Sequence, residues 1–164
     1  MYPSSPSSHF QYLLTHARPA ALAWIQGSAS NPRLAGSVKF YQTTYGGVLI
    51  EAEIFGLPNI DTPGSTDFYG MHIHEYGNCT RPFDQTGSHY NPGNVPHPQH
   101  SGDLPPLMGN QGYAYTVFYD KRFFVKDILG RSLVIHSMAD DFTSQPSGNS
   151  GSKIGCGIIQ SVVN

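Results

Sequence analysis

Two consecutive stretches of this chain change character at every second residue. Leu34, Gly36, Val38 and Phe40 alternate with Ala35, Ser37, Lys39 and Tyr41; Val48, Ile50, Ala52 and Ile54 alternate with Leu49, Glu51, Glu53 and Phe55. A period of two puts each set on one face of an extended chain, and no helix satisfies it. Tyr45-Gly46-Gly47 between the two stretches reads as a hairpin turn. Further strands are predicted at Ala20–Gln26, Met71–Glu75, Gly112–Asp120, Phe123–Ile128, Ser132–His136 and Ile154–Ile159. About eight strands with no helices between them predict an all-β fold, an antiparallel sandwich or barrel. Composition agrees. With 18 Gly and 13 Pro the chain is too turn-rich for a helical bundle, and at 12% charged residues it is too uncharged for a coiled coil. Its 38% hydrophobic content is too high for a disordered chain, and 164 residues fit one domain with a real core.

The formal charge of −2 gives no general attraction to nucleic acid or membrane. No apolar run approaches the roughly 20 residues that span a bilayer. The first nine residues lack the basic and apolar regions of a secretory leader. The expectation is therefore a cytoplasmic protein, or a secreted or periplasmic one if a leader has been removed. Residues 1–8 are Ser/Pro-rich and read as disordered. Ser8 and Gln11 have capping-box spacing, and Phe10, Leu13, Leu14 and Ala17 follow at helical spacing until Pro19. A short helix is predicted over 9–17, so that residues 1–19 form a tail and helix and residues 20–164 the β-domain.

Residues 77–110 and, on a smaller scale, 137–152 break the strand rhythm. Structureless loops of that length in a compact domain are commonly functional. Six of the eight histidines lie between residues 72 and 136. His72 and His74 share one face of a strand, with Met71, Ile73 and Glu75 on the other. His89, His97, His100 and Asp103 follow within the first long loop. His136 ends the apolar run Leu133-Val134-Ile135 and points away from Leu133 and Ile135. Imidazole suits zinc and copper, and three imidazoles with a carboxylate suit a closed zinc site. Seven donors are too many for one ion; two ions sharing one histidine would use them all. His9 and His16 lie outside this constellation and read as solvated side chains or a minor copper site.

From about Ala20 onward the chain resembles copper–zinc superoxide dismutases. The resemblance rests on Gly70-Met71-His72-Ile73-His74-Glu75-Tyr76-Gly77, Gly87-Ser88-His89-Tyr90-Asn91-Pro92, Gly102-Asp103-Leu104, Gly130-Arg131-Ser132-Leu133-Val134-Ile135-His136 with Ala139-Asp140-Asp141, and Gly148-Asn149-Ser150-Gly151-Ser152-Lys153 with Gly155-Cys156-Gly157. It implies an eight-stranded antiparallel Greek-key sandwich or barrel with two long functional loops, and dismutation of superoxide as the activity. It assigns His72, His74, His89 and His136 to copper and His89, His97, His100 and Asp103 to zinc. In that assignment His89 would bridge the two metals and exchange a proton in turnover. Asp140 matches the carboxylate linking a copper histidine to a zinc histidine, and Cys79 and Cys156 match the family disulfide. The cofactors implied are Cu and Zn, the substrate is the superoxide anion, and a homodimer is a possible assembly.

Three features depart from the common pattern. Lys153 stands where the family usually has the arginine that attracts superoxide, and lysine keeps the charge without the rigid fork of donors. The loop from Asp140 to Gly148 is short and poor in charge, as in a bacterial-type member. The spacing around Cys79 also differs. A dismutase-like protein that stores or delivers copper or zinc is the alternative reading. Tyr113, Tyr115, Phe118, Tyr119, Phe123 and Phe124 supply either core and cross-strand pairs or an exposed dimer patch.

Overall fold

The computed structural model describes residues 5–59, 61–63 and 65–162. The helix α1 (Pro6–His16) precedes strands β1 (Ala21–Gly27), β2 (Ala35–Gln42), β3 (Val48–Phe55), β4 (Phe68–Tyr69), β5 (Met71–His74), β6 (Leu107–Met108) and β7 (Tyr113–Asp120); after them come helix α2 (Val125–Ile128), β8 (Ser132–His136) and β9 (Lys153–Ser161). Seven strands form one antiparallel sheet in the order β5-β8-β9-β1-β2-β3-β7. One continuous apolar cluster takes side chains from all seven, among them Ala23, Val38, Ile50, Ile73, Ala114, Ile135 and Ile159. A sheet whose every strand reaches the same core is curled around it. The neighbours β9–β1, β8–β5 and β3–β7 are not consecutive in the chain, which is Greek-key connectivity.

The predicted strands recur within a residue or two, with one exception. Phe123–Ile128 holds a helical turn, not a strand. Val125 and Ile128, three apart, both bury, and the Asp127 carboxylate accepts from the Phe124 N–H at 2.9 Å. A cap and an i,i+3 apolar pair outweigh the strand preference of Phe and Val. The strand count is nine among the described residues, because β4 and β6 pair with each other; two residues are too few to show alternation.

Residues 1–4 of the predicted tail lie outside the described residues, but Ser5–Ser8 are ordered. The helix begins at Pro6, where the missing N–H would be unpaired in any case, and Ser5, not Ser8, accepts from the Ser7 N–H at 3.3 Å. Ser8 is inside the first turn and cannot cap it. Phe10, Leu13, Leu14 and Ala17 pack on Tyr41, Leu49, Val117 and Tyr119. That cluster explains why Leu49 and Tyr41 interrupt an otherwise polar outer face. The aromatic run is divided accordingly. Tyr119 lies under α1 and Phe123 is in the core, while Tyr113 and Tyr115 donate hydrogen bonds at 3.1 Å to Glu53 and Glu51 on the neighbouring strand.

β5 positions everything that follows. Met71 and Ile73 enter the core, and His72 and His74 face the other way. As the last strand of the sheet, β5 has a free edge, and the first long loop closes it. Tyr90 N–H donates to Ile73 O (2.8 Å), Ile73 N–H to Gly102 O (2.9 Å), and Glu75 N–H to Ser88 O (2.9 Å). The loop is therefore fixed strand-like alongside the histidines it must meet.

Candidate metal centre

The long loop, β5 and β8 bring seven donors into two groups that share one residue. His72, His74, His89 and His136 form the first; His89, His97, His100 and Asp103 form the second; all are buried. In each group one donor atom per residue lies within 4.8 Å of all the others. An irregularity between Ile135 and His136 shifts the β8–β9 register and sets His136 opposite Lys153.

The hydrogen bonds determine which ring nitrogens are free. His72 Nε2 and His97 Nε2 donate to the two oxygens of Asp140, at 2.8 and 2.9 Å, so their Nδ1 atoms are bare. His74 Nδ1 donates to Gly87 O at 2.9 Å and His136 Nδ1 to Gly151 O at 3.4 Å, so their Nε2 atoms are bare. Those two bare nitrogens converge at 3.3 Å; with a lone pair on each, they cannot bond to one another. Within the groups, His72 Nδ1, His89 Nε2 and His97 Nδ1 are buried without a hydrogen-bond partner. His97 Nδ1 and Asp103 Oδ2 are only 3.0 Å apart, yet not aligned as donor and acceptor. Buried polar atoms left unpaired are costly. Atoms that converge on common points without bonding each other are arranged for cations. The donor sets, four imidazoles beside three imidazoles and a carboxylate, fit copper and zinc.

The charges follow from burial and these bonds. Burial holds His74 and His72 below the usual imidazole value and pulls His136 down to about 3, so the rings stay neutral. Burial pushes the Asp103 and Asp140 carboxyls up, but hydrogen bonds from His89 to Asp103 and from His72, the Phe142 N–H and His97 to Asp140 bring both below the ordinary carboxylate range. The metal-free protein therefore destabilises in acid. Below pH 6.5 an unfolded chain protonates these histidines while the folded chain excludes the proton, down to about pH 3 for His136. Thermal melts of the metal-free protein are expected to show a Tm falling steadily from pH 7 to pH 4. A flat Tm over that range contradicts the burial argument.

The candidate ligands, Asp140 and Lys153 thus lie at one centre. His9 and His16 do not; they sit on α1, outside both groups. Cys79 and Cys156 form a disulfide packed against Phe83 and Val134. Of the supporting residues, Arg122 and Gln145 carried no sequence signal, while Gly148 stood in a quoted motif without its role. The Arg122 guanidinium pairs with Asp120 and donates to His100 O at 2.8 Å and to Asp103 O. The Gln145 amide bonds the His97 backbone in both directions, at 3.1 and 2.7 Å. Gly148, at φ +70°, lies where any side chain would collide with the Asp140 carboxylate and His97.

Residues 34–159 match the copper/zinc superoxide dismutase family. The chain belongs to that family. Its relatives in the family include the copper chaperone for superoxide dismutase of Mus musculus, 38% identical over 153 residues, which cover 85% of this chain and 52% of the chaperone. Superoxide dismutase (Cu-Zn) 3 of Arabidopsis thaliana is 35% identical over 147 residues, 80% of this chain and 85% of that protein. The Cu-Zn superoxide dismutase of Deinococcus radiodurans is 37% identical over 116 residues, 57% of this chain and 64% of that one. The chain spans about half the length of the copper chaperones it matches. Membership of the copper/zinc superoxide dismutase family accounts for the curled Greek-key sheet, the disulfide and the paired donor groups together.

Proposed function

We propose that the chain dismutates superoxide: two superoxide anions and two protons become one O2 and one hydrogen peroxide. The observation that carries this reading is the sharing of His89 between two complete donor groups. Copper held by His72, His74, His89 and His136 would supply the one-electron exchange, and zinc held by His89, His97, His100 and Asp103 would fix the His89 ring. His89 Nε2 faces the first group with no hydrogen-bond partner, so it is the atom on which a proton is taken up and passed to reduced substrate. Asp140 holds the rings of His72 and His97, one from each group, in the ligating tautomer.

A cleft of about 460 Å³ opens on the centre, lined by His74, His89, His100, His136 and Lys153. Lys153 is its cation. Burial pulls the ammonium below the ordinary lysine value, and the nearby Asp84 carboxylate pulls it back. A positive charge in a cleft focuses anions and can raise their capture rate about 10- to 1,000-fold, here opposed by the Glu75 carboxylate of the same lining, which accepts from the Ser88 N–H. The Lys153→Glu variant is expected to keep both metals and lose about 10-fold or more in kcat/KM at low salt. Steady-state rates at two ionic strengths check this, and an unchanged rate removes the steering role.

Metal analysis and dismutase assay of one copper- and zinc-reconstituted preparation test the function. One copper and one zinc per chain with fast, salt-sensitive turnover is expected. The identity to a copper chaperone favours a second reading, copper delivery to another protein. Both metals bound with negligible turnover would establish that reading in place of the first.

A further inference from the structure

Lys153 does not stand free in the cleft. Its Nζ donates to Thr86 Oγ1 at 2.7 Å and reaches Phe83 O at 3.4 Å. Thr86 is fully buried. Its single hydroxyl proton goes to Phe83 O at 2.9 Å, so its lone pairs are what the ammonium finds. Thr86 Oγ1 also lies 3.4 Å from His74 Nδ1, the ring nitrogen that donates to the carbonyl of the next residue, Gly87.

We propose that the Thr86 hydroxyl is a positioning residue that sets where the anion-attracting charge of Lys153 sits relative to the copper-group histidines. This deepens the dismutase reading of the same site and rests on it. The argument is one of side-chain chemistry. An arginine places a rigid, planar charge with several donors. A lysine places a compact point charge on a flexible stem, without the fixed fork that orients several donors at once. At this position the flexible residue needs an external anchor, and Thr86 with Phe83 O supplies one. Among the described residues the ammonium has two acceptors, Thr86 Oγ1 and Phe83 O, and it lines the cleft beside His74, His89 and His136. The anchor and the His74 support come from adjacent residues, so the charge and the metal-facing ring are fixed to one short segment. That segment is tied to β9 by the Cys79–Cys156 bridge.

The test is a double-mutant cycle on the copper- and zinc-loaded protein. Azide is the probe, titrated on the visible absorption of Cu(II), with kcat/KM for superoxide measured alongside. Thr86→Val keeps the branched shape and removes the hydroxyl. It is expected to weaken azide binding about 5- to 10-fold and to flatten the salt dependence of turnover. Thr86→Ser restores the hydroxyl and is expected within about twofold of the parent. In a Lys153→Met background, Thr86→Val is expected to change neither quantity. Equal losses in both backgrounds would show a role in packing alone and overturn the proposal, as would azide binding by Thr86→Val at the parent value. A parent protein that binds azide at Cu(II) but does not turn over superoxide defeats the dismutase reading and leaves the azide cycle to decide this one.

Discussion

Replacing Cys79 and Cys156 together by alanine is expected to lower the stability of the metal-free protein by about 4 kcal/mol. The bridge joins residues 77 apart, and closing a loop of that length removes about 4.5 kcal/mol of chain entropy from the unfolded state. For a chain of this size the loss corresponds to a Tm lower by roughly 10–15 °C. Urea melts of the metal-free parent and variant measure it. A difference under about 1 kcal/mol would mean that packing of Phe83 and Val134 around the half-cystines holds the loop without the bond. The same bridge fastens the segment that carries Thr86 and Gly87. The variant is accordingly expected to weaken azide binding, beyond the effect on stability.

His89→Ala is the substitution expected to cost most in activity. Among the described residues, no other belongs to both donor groups. Its removal leaves three donors on each side and takes away the Nε2 atom to which the proposed dismutase reading gives the proton exchange. Dismutation is expected to fall at least 100-fold, the lower end of what a positioned proton-transfer group contributes, and zinc affinity is expected to fall with it. Pulse radiolysis and zinc competition titrations on the same protein separate the two losses. The fold itself is expected to survive, because His89 faces the centre and the core cluster does not include it. A variant with normal zinc affinity and more than a tenth of parental activity would remove His89 from the shared position.

The legible part of the molecule was local. The alternation in 34–41 and 48–55 marked β2 and β3, since a strand's two faces repeat every second residue and both were differently solvated. The spacing of His72 and His74 told that they share a face, and the apolar run before His136 told which way it turns. What local pattern could not show was anything held by a single remote contact. α2 is the exception, a purely local ambiguity: its apolar residues suit a strand equally well, and the Asp127 cap with the buried Val125/Ile128 pair, all within the segment, selects the helix. β4 and β6 were missed because their pairing, not their composition, makes them strands.

By itself, then, the sequence determined the fold class and the sheet's main strands, because periodicity belongs to neighbouring residues, and it marked the candidate donors by their residue types and by the family resemblance. The tertiary structure alone decided how the centre is built. Gln145 meets the His97 backbone across 48 residues. Lys153 meets Thr86 across 67, and Arg122 grips the His100 carbonyl across 22. Each of these depends on where a curled sheet and two loops deliver side chains in space, and no repeat in the chain encodes that distance.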